Sequence, residues 1–151
     1  MARLSDLPEA MARRMAERDF PDYGPTPATG GPPLARQRIA IVSTAGLASR
    51  GDRPFARLAS DYRTIPGDER DLVISHVSSN FDRTGFQEDV NVMFPLDRLR
   101  ELAAEGAISG VAERHYSFMG ATAVEALLPA ARDLASQLKA DGVGGVLLAP
   151  V

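Results

Sequence analysis

Apolar residues along this chain occur in short continuous blocks separated by segments with helical periodicity. Such blocks are typical of strands buried on both faces of a parallel sheet. The segments that the pattern predicts as strands are 38–44, 71–76, 107–112 and 143–151. The segment 89–94 is interpreted as either a further short strand or a loop, because the polar Asn91 interrupts its apolar residues.

Helical patterns lie between these blocks. Pro95 suits a first helical turn, the leucines that follow it form one apolar stripe, and Gly106 is a natural stop. A second helix is predicted over 124–139, where Pro129 either kinks it or marks the first turn of a separate helix. A short amphipathic helix is predicted over 7–18.

The alternation of strand and helix patterns predicts an α/β fold, with a three-layer parallel sheet of the Rossmann-like or flavodoxin-like kind. Few strands are visible for such a domain, so the sheet is expected to be incomplete at its carboxyl terminus. Residues 23–33 contain four prolines and three glycines, which favours a linker. The predicted organisation is therefore an amino-terminal helix and linker over 1–36, followed by the α/β domain over 37–151.

Composition narrows the chemistry. The chain has 151 residues, is 44% hydrophobic and 25% charged, and carries a net charge of −3 with both signs interspersed, so it shows no nucleic-acid or membrane patch. It contains no cysteine, and its two histidines lack metal-ligand spacing, so no metal site is predicted. No cofactor is indicated either. In the absence of a signal or membrane span, a cytoplasmic protein is expected.

Candidate site residues follow the predicted strands, because ligands in parallel sheets bind beyond the carboxyl ends of the strands. Ser43 and Thr44 end the first strand, and their hydroxyls next to Gly46 suit a carboxylate or phosphate. His76 ends the second predicted strand, which makes it a candidate supporting group for catalysis; a histidine bonded within a loop is the alternative.

Further candidates lie in loops. The stretch 114–120 shows no clear period and is interpreted as a loop that either packs or binds, with His115, Tyr116 and Ser117 as its polar groups. Asp82 and Asn91 are candidates for orienting a substrate ammonium group or a histidine, although acidic loop residues are more often simply solvated. None of these residues identifies a particular reaction by itself.

Several of these segments together carry a resemblance to a known family. They are 38–46, Ser75-His76 with Phe81-Asp82, 89–99, 115–120 and 138–151. They resemble the selenoprotein B family of the glycine, sarcosine, betaine and D-proline reductases, in particular its short single-domain members. The resemblance runs from about Arg38 to the last residue, and the amino-terminal segment does not contribute to it.

The resemblance implies a site and a reaction. In that family the strand corresponding to 146–151 leads into a selenocysteine or cysteine, which attacks a small amine or amino acid and cleaves its C–N bond reductively. Sister subunits, a thiol electron donor and a homo-oligomer are the implied partners. This sequence stops before that nucleophile, so the chain as given is expected to be inactive. Either Val151 is a natural terminus, or the reading frame was closed at a UGA codon.

Two alternatives to this reductase remain open. The first is a non-enzymatic α/β module that binds a small ligand or another subunit. The second is a cofactor-independent racemase-like enzyme, which requires two facing acid/base groups. Without cysteines, only His76 and His115 could serve in that second role.

Overall fold

The computed structural model describes residues 4–17, 19, 22, 24–25, 29–78 and 83–151. The chain divides into two compact units, Met1–Gly30 and Gly31–Val151. The first unit contains one short helix, α1 (Glu9–Ala16), supported by an ion pair between Glu9 and Arg13 one turn apart. The helix predicted over 7–18 is thus confirmed in its central part, and its end at Arg18 lies outside the described residues.

The second unit is built from short strands and helices. Its strands are β1 (Arg38–Ser43), β2 (Leu47–Ser49), β3 (Tyr62–Pro66), β4 (Leu72–Ile74), β5 (Gly110–Val111), β6 (Arg114–Phe118) and β7 (Gly145–Ala149). Its helices are α2 (Thr84–Glu88), α3 (Leu96–Ala104) and α4 (Val124–Ala140). None of the helices in the described part of the chain is long and apolar enough to cross a membrane.

Strand β1 is the centre of the main sheet. Its two ends pair in parallel with β5 and β6, and the whole strand also pairs in parallel with β7. Because a strand has two hydrogen-bonding edges, β5 and β6 share one edge of β1 and β7 occupies the other. Strand β3 pairs antiparallel with β6 and extends the sheet on the opposite side from β7.

The α/β class is confirmed, but the prediction of an entirely parallel sheet is wrong. The main sheet is mixed, and β2 and β4 form a separate antiparallel ribbon. The segment 71–76 was therefore predicted as a strand correctly and placed in the wrong sheet. Parallel neighbours require a long crossover, usually a helix. The chain contains no helix between β1 and β4, whereas α3 or α4 precedes each strand that pairs in parallel with β1.

The two faces of the main sheet pack against different helices. Alternate side chains of β1 point to opposite faces. Ile39 and Ile41 pack in one apolar cluster with Leu96 and Leu99 of α3. Val42 lies on the other face, in a cluster with Leu134 of α4. The core therefore lies on both sides of β1, which explains why this strand reads as a continuous apolar run.

Five expectations from the sequence are resolved by these elements. The segment 114–120 is not a loop, because residues 114–118 form β6 between β1 and β3. The segment 89–94 is not a strand, because Val90–Val92 forms a 3₁₀ turn. Pro129 lies inside one helix, α4, and does not begin a separate one. The strand expected over 107–112 is confirmed as β5, and the helix expected after Pro95 is confirmed as α3.

Strand β7 leaves apolar side chains uncovered. Leu148 is 69% exposed, and Val146, Leu147 and Val151 are also exposed. The N–H of Thr44 donates to the carbonyl of Ala149, so the backbone groups of Leu147 and Ala149 point toward β1. The backbone groups of Val146 and Leu148 therefore point away from β1. The outer edge of β7 thus combines hydrogen-bonding groups that no described residue pairs with and exposed apolar surface, which is unusual for an edge strand.

The start of α3 depends on Asn91, whose Oδ1 accepts the backbone N–H of Asp97 at 3.1 Å. Its Nδ2 donates to the carboxylates of Asp89 and Asp97. We expect Asn91→Ala to lower the free energy of unfolding by about 1 kcal/mol, the usual cost of removing a side chain that caps a helix start. Urea denaturation of both proteins measures this difference.

Val92→Ala is the matched control, since Val92 lies in the same turn and is 70% exposed. We expect this control to change stability by less than about 0.5 kcal/mol, as is usual for a surface substitution. Equal losses in the two variants would mean that the turn is sensitive to any truncation and that the Asn91 hydrogen bonds contribute little.

Candidate functional site

The carboxyl end of β7 lies against the segment that follows β1. The hydroxyl of Thr44 accepts the backbone N–H of Val151 at 2.9 Å, and the N–H of Thr44 donates to the carbonyl of Ala149 at 3.2 Å. Thr44 therefore extends the β1–β7 ladder past its last strand residue, partly with its side chain. This residue determines where the chain runs as it leaves β7.

Two glycines bring other segments close to this point. Gly120 has a φ of +89°, and a Cβ at this position would collide with the carbonyl oxygen of Thr44. The same Cβ would lie 3.4 Å from Nε2 of His76. Gly46 has a φ of +64°, and its Cβ would lie 2.8 Å from the backbone of His76. Glycine is needed at both positions because the backbones approach too closely for a side chain.

His76 is only 7% exposed, and its Nδ1 accepts the backbone N–H of Ser78 at 3.1 Å. This hydrogen bond assigns the proton of the neutral ring to Nε2, the nitrogen that faces Gly120 and Thr44. Burial lowers the pKa of His76, and the positive charge of Arg83, which donates to the His76 carbonyl at 2.8 Å, lowers it further. His76 is thus a buried, neutral ring near the end of β7.

Ser43 is fully buried beside Thr44. Its hydroxyl donates to the carbonyl of Met93 at 3.2 Å and accepts the N–H of Ala45 at 3.1 Å. These two bonds tie the loop before α3 to the turn after β1. Ser43 therefore supports the position of Thr44, and its hydroxyl is engaged inside the protein.

His115 lies within the sheet. Between the Ile39–Val111 and Val42–Tyr116 pairs, the segment that runs from β5 into β6 has two more residues than β1. The ladder is interrupted there. Nδ1 of His115 accepts the backbone N–H of Ile41 at 2.9 Å, which replaces the missing ladder bond. Burial lowers the pKa of His115 to about 4, with a smaller contribution from the charge of Arg100. The ring is neutral and fully enclosed.

Tyr116 and Ser117 are also fully buried. The hydroxyl of Ser117 accepts the N–H of Leu47 at 2.9 Å, and so connects β6 to β2. The ring of Tyr116 packs edge-on against Tyr62 with centroids 5.5 Å apart, on the face covered by α4. Burial raises the pKa of the Tyr116 phenol.

The structure thus brings Thr44 and His76 together at the end of β7, with Ser43 directly behind them. It does not bring His115, Tyr116 or Ser117 to that point, because their side chains are enclosed in the sheet. Asn91 is engaged at the start of α3, and Asp82 lies outside the described residues. Sequence reasoning did not select Gly46 and Gly120 as site residues in their own right. Gly46 follows the first strand and Gly120 follows the polar stretch that forms β6, and both have a positive φ.

The arrangement at the end of β7 can hold an anion or a polar group next to the Nε2–H of His76. Hydrogen bonding by a fixed donor stabilises a developing negative charge, and a neutral ring avoids the cost of burying a second charge. Within the described residues, no group of three or more histidine, aspartate or glutamate side chains gathers in a way that could hold a metal ion.

Most of this chain is similar to known proteins. Residues 24–151 match the family model for glycine/sarcosine/betaine reductase selenoprotein B. The chain is 36% identical over 121 residues to the D-proline reductase subunit gamma of Acetoanaerobium sticklandii, a match that covers 76% of this chain and 49% of that protein. No solved structure matches the chain.

Two further relatives are more distant. The betaine reductase complex component B subunit beta of Peptoclostridium acidaminophilum is 33% identical over 122 residues. The glycine reductase complex component B subunit gamma of Carboxydothermus hydrogenoformans is 30% identical over 123 residues. Each match covers 76% of this chain and 28% of the relative, so the chain spans half or less of the length of these proteins. The chain belongs to the glycine/sarcosine/betaine reductase selenoprotein B family.

Proposed function

We propose that this chain forms the amino-terminal part of a cytoplasmic reductase that cleaves the C–N bond of a small amine or amino acid. The observation that supports it is the meeting of Thr44, Gly120 and His76 at the carboxyl end of β7. A strand end beside backbone N–H groups is where a reactive selenolate or thiolate is best stabilised. The nucleophile in this proposal is a selenocysteine or cysteine that follows Val151.

The proposed reaction has two stages, attack by the nucleophile and reductive release of the product. The selenolate or thiolate attacks the α-carbon, a carbon–chalcogen bond forms, and the C–N bond breaks. The amine leaves with the bonding electron pair and takes up a proton. A thiol of the electron donor then attacks the chalcogen; the carbon–chalcogen bond breaks with its electron pair on the carbon, which takes up a proton. A second thiol of the donor closes a disulfide and releases the selenolate or thiolate, so the donor supplies the two electrons of the reduction. The residues described here bind and orient, while the nucleophile itself lies outside them, so the 151-residue chain is proposed to be inactive alone.

Each site residue has a distinct proposed role. His76 donates its Nε2–H to the nucleophile anion and lowers the pKa of that group. Thr44 fixes the direction of the chain after β7 through its bond to Val151. Ser43 holds Thr44 from behind, Asp82 and Asn91 are proposed substrate contacts, and the buried Tyr116 and Ser117 are proposed to support the site from within the sheet. His115 supports the site by completing the ladder at Ile41.

The names of the relatives support a subunit role. They are subunits of D-proline, betaine and glycine reductases, and two of them are named as parts of complexes. We therefore propose sister subunits and a thiol electron donor as partners of this chain. Among the described residues, no strand pairs with the outer edge of β7, which supports completion of this mixed sheet into a three-layer domain over residues 37–151 and beyond. A separate segment over 1–36 precedes this domain in the proposal.

The coding sequence provides the first test. We expect the codon after that of Val151 to be UGA, followed by an open frame with a cysteine or second selenocysteine about three positions after the first. Expressed with cysteine at the UGA position, the longer protein should contain one thiol whose pKa lies below the ordinary value of about 8.5. The pH dependence of its alkylation by iodoacetamide measures that pKa.

Two variants of that longer protein test the roles of the site residues. His76→Gln should raise the thiol pKa by about one unit, which corresponds to a loss of about 1.4 kcal/mol of anion stabilisation. Thr44→Val should also raise it, whereas Thr44→Ser keeps the hydroxyl and should change it little. A UAA or UAG codon with no open frame behind it, or a thiol of ordinary pKa, would contradict the proposal.

The exposed apolar row of β7 favours a second candidate, a non-enzymatic module that docks to another subunit through this edge. This candidate requires no nucleophile after Val151. The same coding sequence therefore separates the two functions. The closed frame that contradicts the reductase is the result expected for the docking module.

A further inference from the structure

A cavity of about 520 Å³ lies beside β4, away from the end of β7 in sequence and in its lining residues. Its volume is within the range of about 300–1,000 Å³ that is usual for ligand sites. The apolar part of its lining includes Leu72 and Ile74 of β4 and Phe94 and Leu96 on the opposite side. Strand β4, the 3₁₀ turn at Val90–Val92 and the start of α3 contribute to its walls.

One wall of this cavity is the free edge of β4. Two ladder bonds flank the strand: the N–H of Arg50 donates to the carbonyl of Asp71 at 2.9 Å, and the N–H of Ser75 donates to the carbonyl of Gly46 at 2.8 Å. In an antiparallel pair, residues alternate between facing the partner and facing away. The register therefore turns the N–H and C=O groups of Leu72 and Ile74 away from β2. Among the described residues, none bonds to these four groups.

The charged part of the lining is slightly positive. Three arginines, at 70, 83 and 100, face two carboxylates, at Glu69 and Asp97, which leaves one positive charge in excess. Asp97 is bonded to both Arg70 and Arg100, and Glu69 accepts backbone N–H groups. Arg83 donates to the carbonyl of His76 and, among the described residues, forms no ion pair with a carboxylate of the lining. A ligand with a negative charge complements this rim.

From these features we infer that the β4 edge and its cavity bind an extended segment of a partner polypeptide with apolar residues flanked by acidic ones. The segment pairs with Leu72 and Ile74 as an added strand, places apolar side chains in the cavity, and directs a carboxylate toward Arg83. The outward N–H and C=O groups recur at every second residue of β4, which matches the spacing of backbone groups in a second strand. An extended polypeptide therefore fits this edge better than a small molecule does. This inference does not depend on the reductase proposal.

The probe that tests it is a capped peptide, Asp-Val-Leu-Val-Asp, titrated into the ¹⁵N-labelled chain. We expect the amide signals of Leu72 and Ile74 to shift, while those of β7 stay in place. The same peptide with its two alternate pairing amides N-methylated should bind at least about tenfold more weakly, because it loses hydrogen bonds worth roughly 1 kcal/mol each. Replacing its aspartates by lysines should weaken binding as well.

The protein-side variant is Arg83→Glu, which should weaken binding of the acidic peptide by about fivefold, as expected for a charge at a solvent-exposed rim. Arg98→Glu is its matched control: Arg98 is exposed, pairs with Glu101 and does not line the cavity. We expect that control to bind like the parent chain. Thermal unfolding of both variants verifies that they are folded.

Several results would overturn the inference. One is equal binding of the N-methylated and unmodified peptides, which would mean that the β4 backbone is not used. Another is a shift confined to β7, which would assign the peptide to the other free edge. A third is binding of hexanoate at the cavity without any binding of the peptide, which would make this a small-carboxylate site.

Discussion

Acidification from pH 7 to pH 4 is expected to remove about 3 kcal/mol of stability through His115. The pKa of this buried ring in the folded chain is lowered to about 4, compared with 6.5 for an exposed histidine. A gap of about 2.5 pKa units corresponds to roughly 3 kcal/mol. The unfolded chain binds a proton more readily than the folded chain, so the stabilisation is present above pH 6.5 and is lost as the pH falls toward 4.

The main cause of the lowered pKa is burial of the ring, and the hydrogen bond from Ile41 adds to the cost of protonation. Nδ1 of His115 must stay unprotonated to accept the N–H of Ile41, and no other acceptor among the described residues replaces it. Protonation would leave that N–H unpaired in the core and place a charge next to the ring of Phe94, 5.7 Å away, and in the field of Arg100. Titration of the imidazole signals by NMR measures the pKa directly, and urea denaturation at several pH values measures the stability.

The matched control is His115→Asn, whose side-chain oxygen can accept the same N–H and does not titrate. We expect this variant to be less stable than the parent at pH 7 because its smaller side chain leaves a void, but to lose less stability on acidification. His76 also has a lowered pKa and is present in both proteins, so the difference between them isolates His115. A His115 signal that titrates near pH 6.5 would contradict the enclosed position of the ring.

The fold class and most elements could be predicted from sequence because apolar runs report burial. Strand β1 reads clearly since both of its faces are covered, by α3 and α4. Strand β6 was missed although residues 115–118 alternate between polar and aromatic side chains. That alternation is the period of a strand, but fully buried polar residues at His115 and Ser117 contradict the usual assumption that polar positions face water.

The arrangement of strands could not be predicted in the same way. Sequence shows that residues 71–76 favour a strand, but it does not show which strand they pair with. The turn at Gly46, with its positive φ, redirects the chain after β1 and allows β2 to pair with β4 outside the main sheet. Pairing between distant segments depends on such turns and on packing, which local periodicity does not report.

The candidate site was predicted in part for a physical reason. Thr44 and His76 follow strands, and the rule that sites lie beyond strand ends selected both. His115 and Ser117 were selected for their chemistry, but their polar groups satisfy backbone N–H groups of β1 and β2 in the core. A polar side chain in a sequence does not show whether its partner is a ligand or the protein's own backbone.

The close approach at Gly120 should make this position intolerant of any side chain. We expect Gly120→Ala to lower the free energy of unfolding by about 3 kcal/mol or more. About 1–2 kcal/mol comes from the positive φ, and a further 1–3 kcal/mol comes from forcing a methyl group against the Thr44 carbonyl. The same displacement should weaken the contact between Thr44 and Val151, because both depend on the position of Thr44.

Gly106→Ala separates the two contributions. Gly106 has a similar φ of +75° after α3, but a Cβ there would meet no atom within 4 Å. This variant should therefore show only the backbone cost of about 1–2 kcal/mol. Gly46→Ala should resemble Gly120→Ala, because its Cβ would press on the backbone of His76. Urea denaturation of the three variants and the parent chain measures these differences. If Gly120→Ala and Gly106→Ala lost the same stability, the segments after β1 and β6 could not be as close as the candidate site requires.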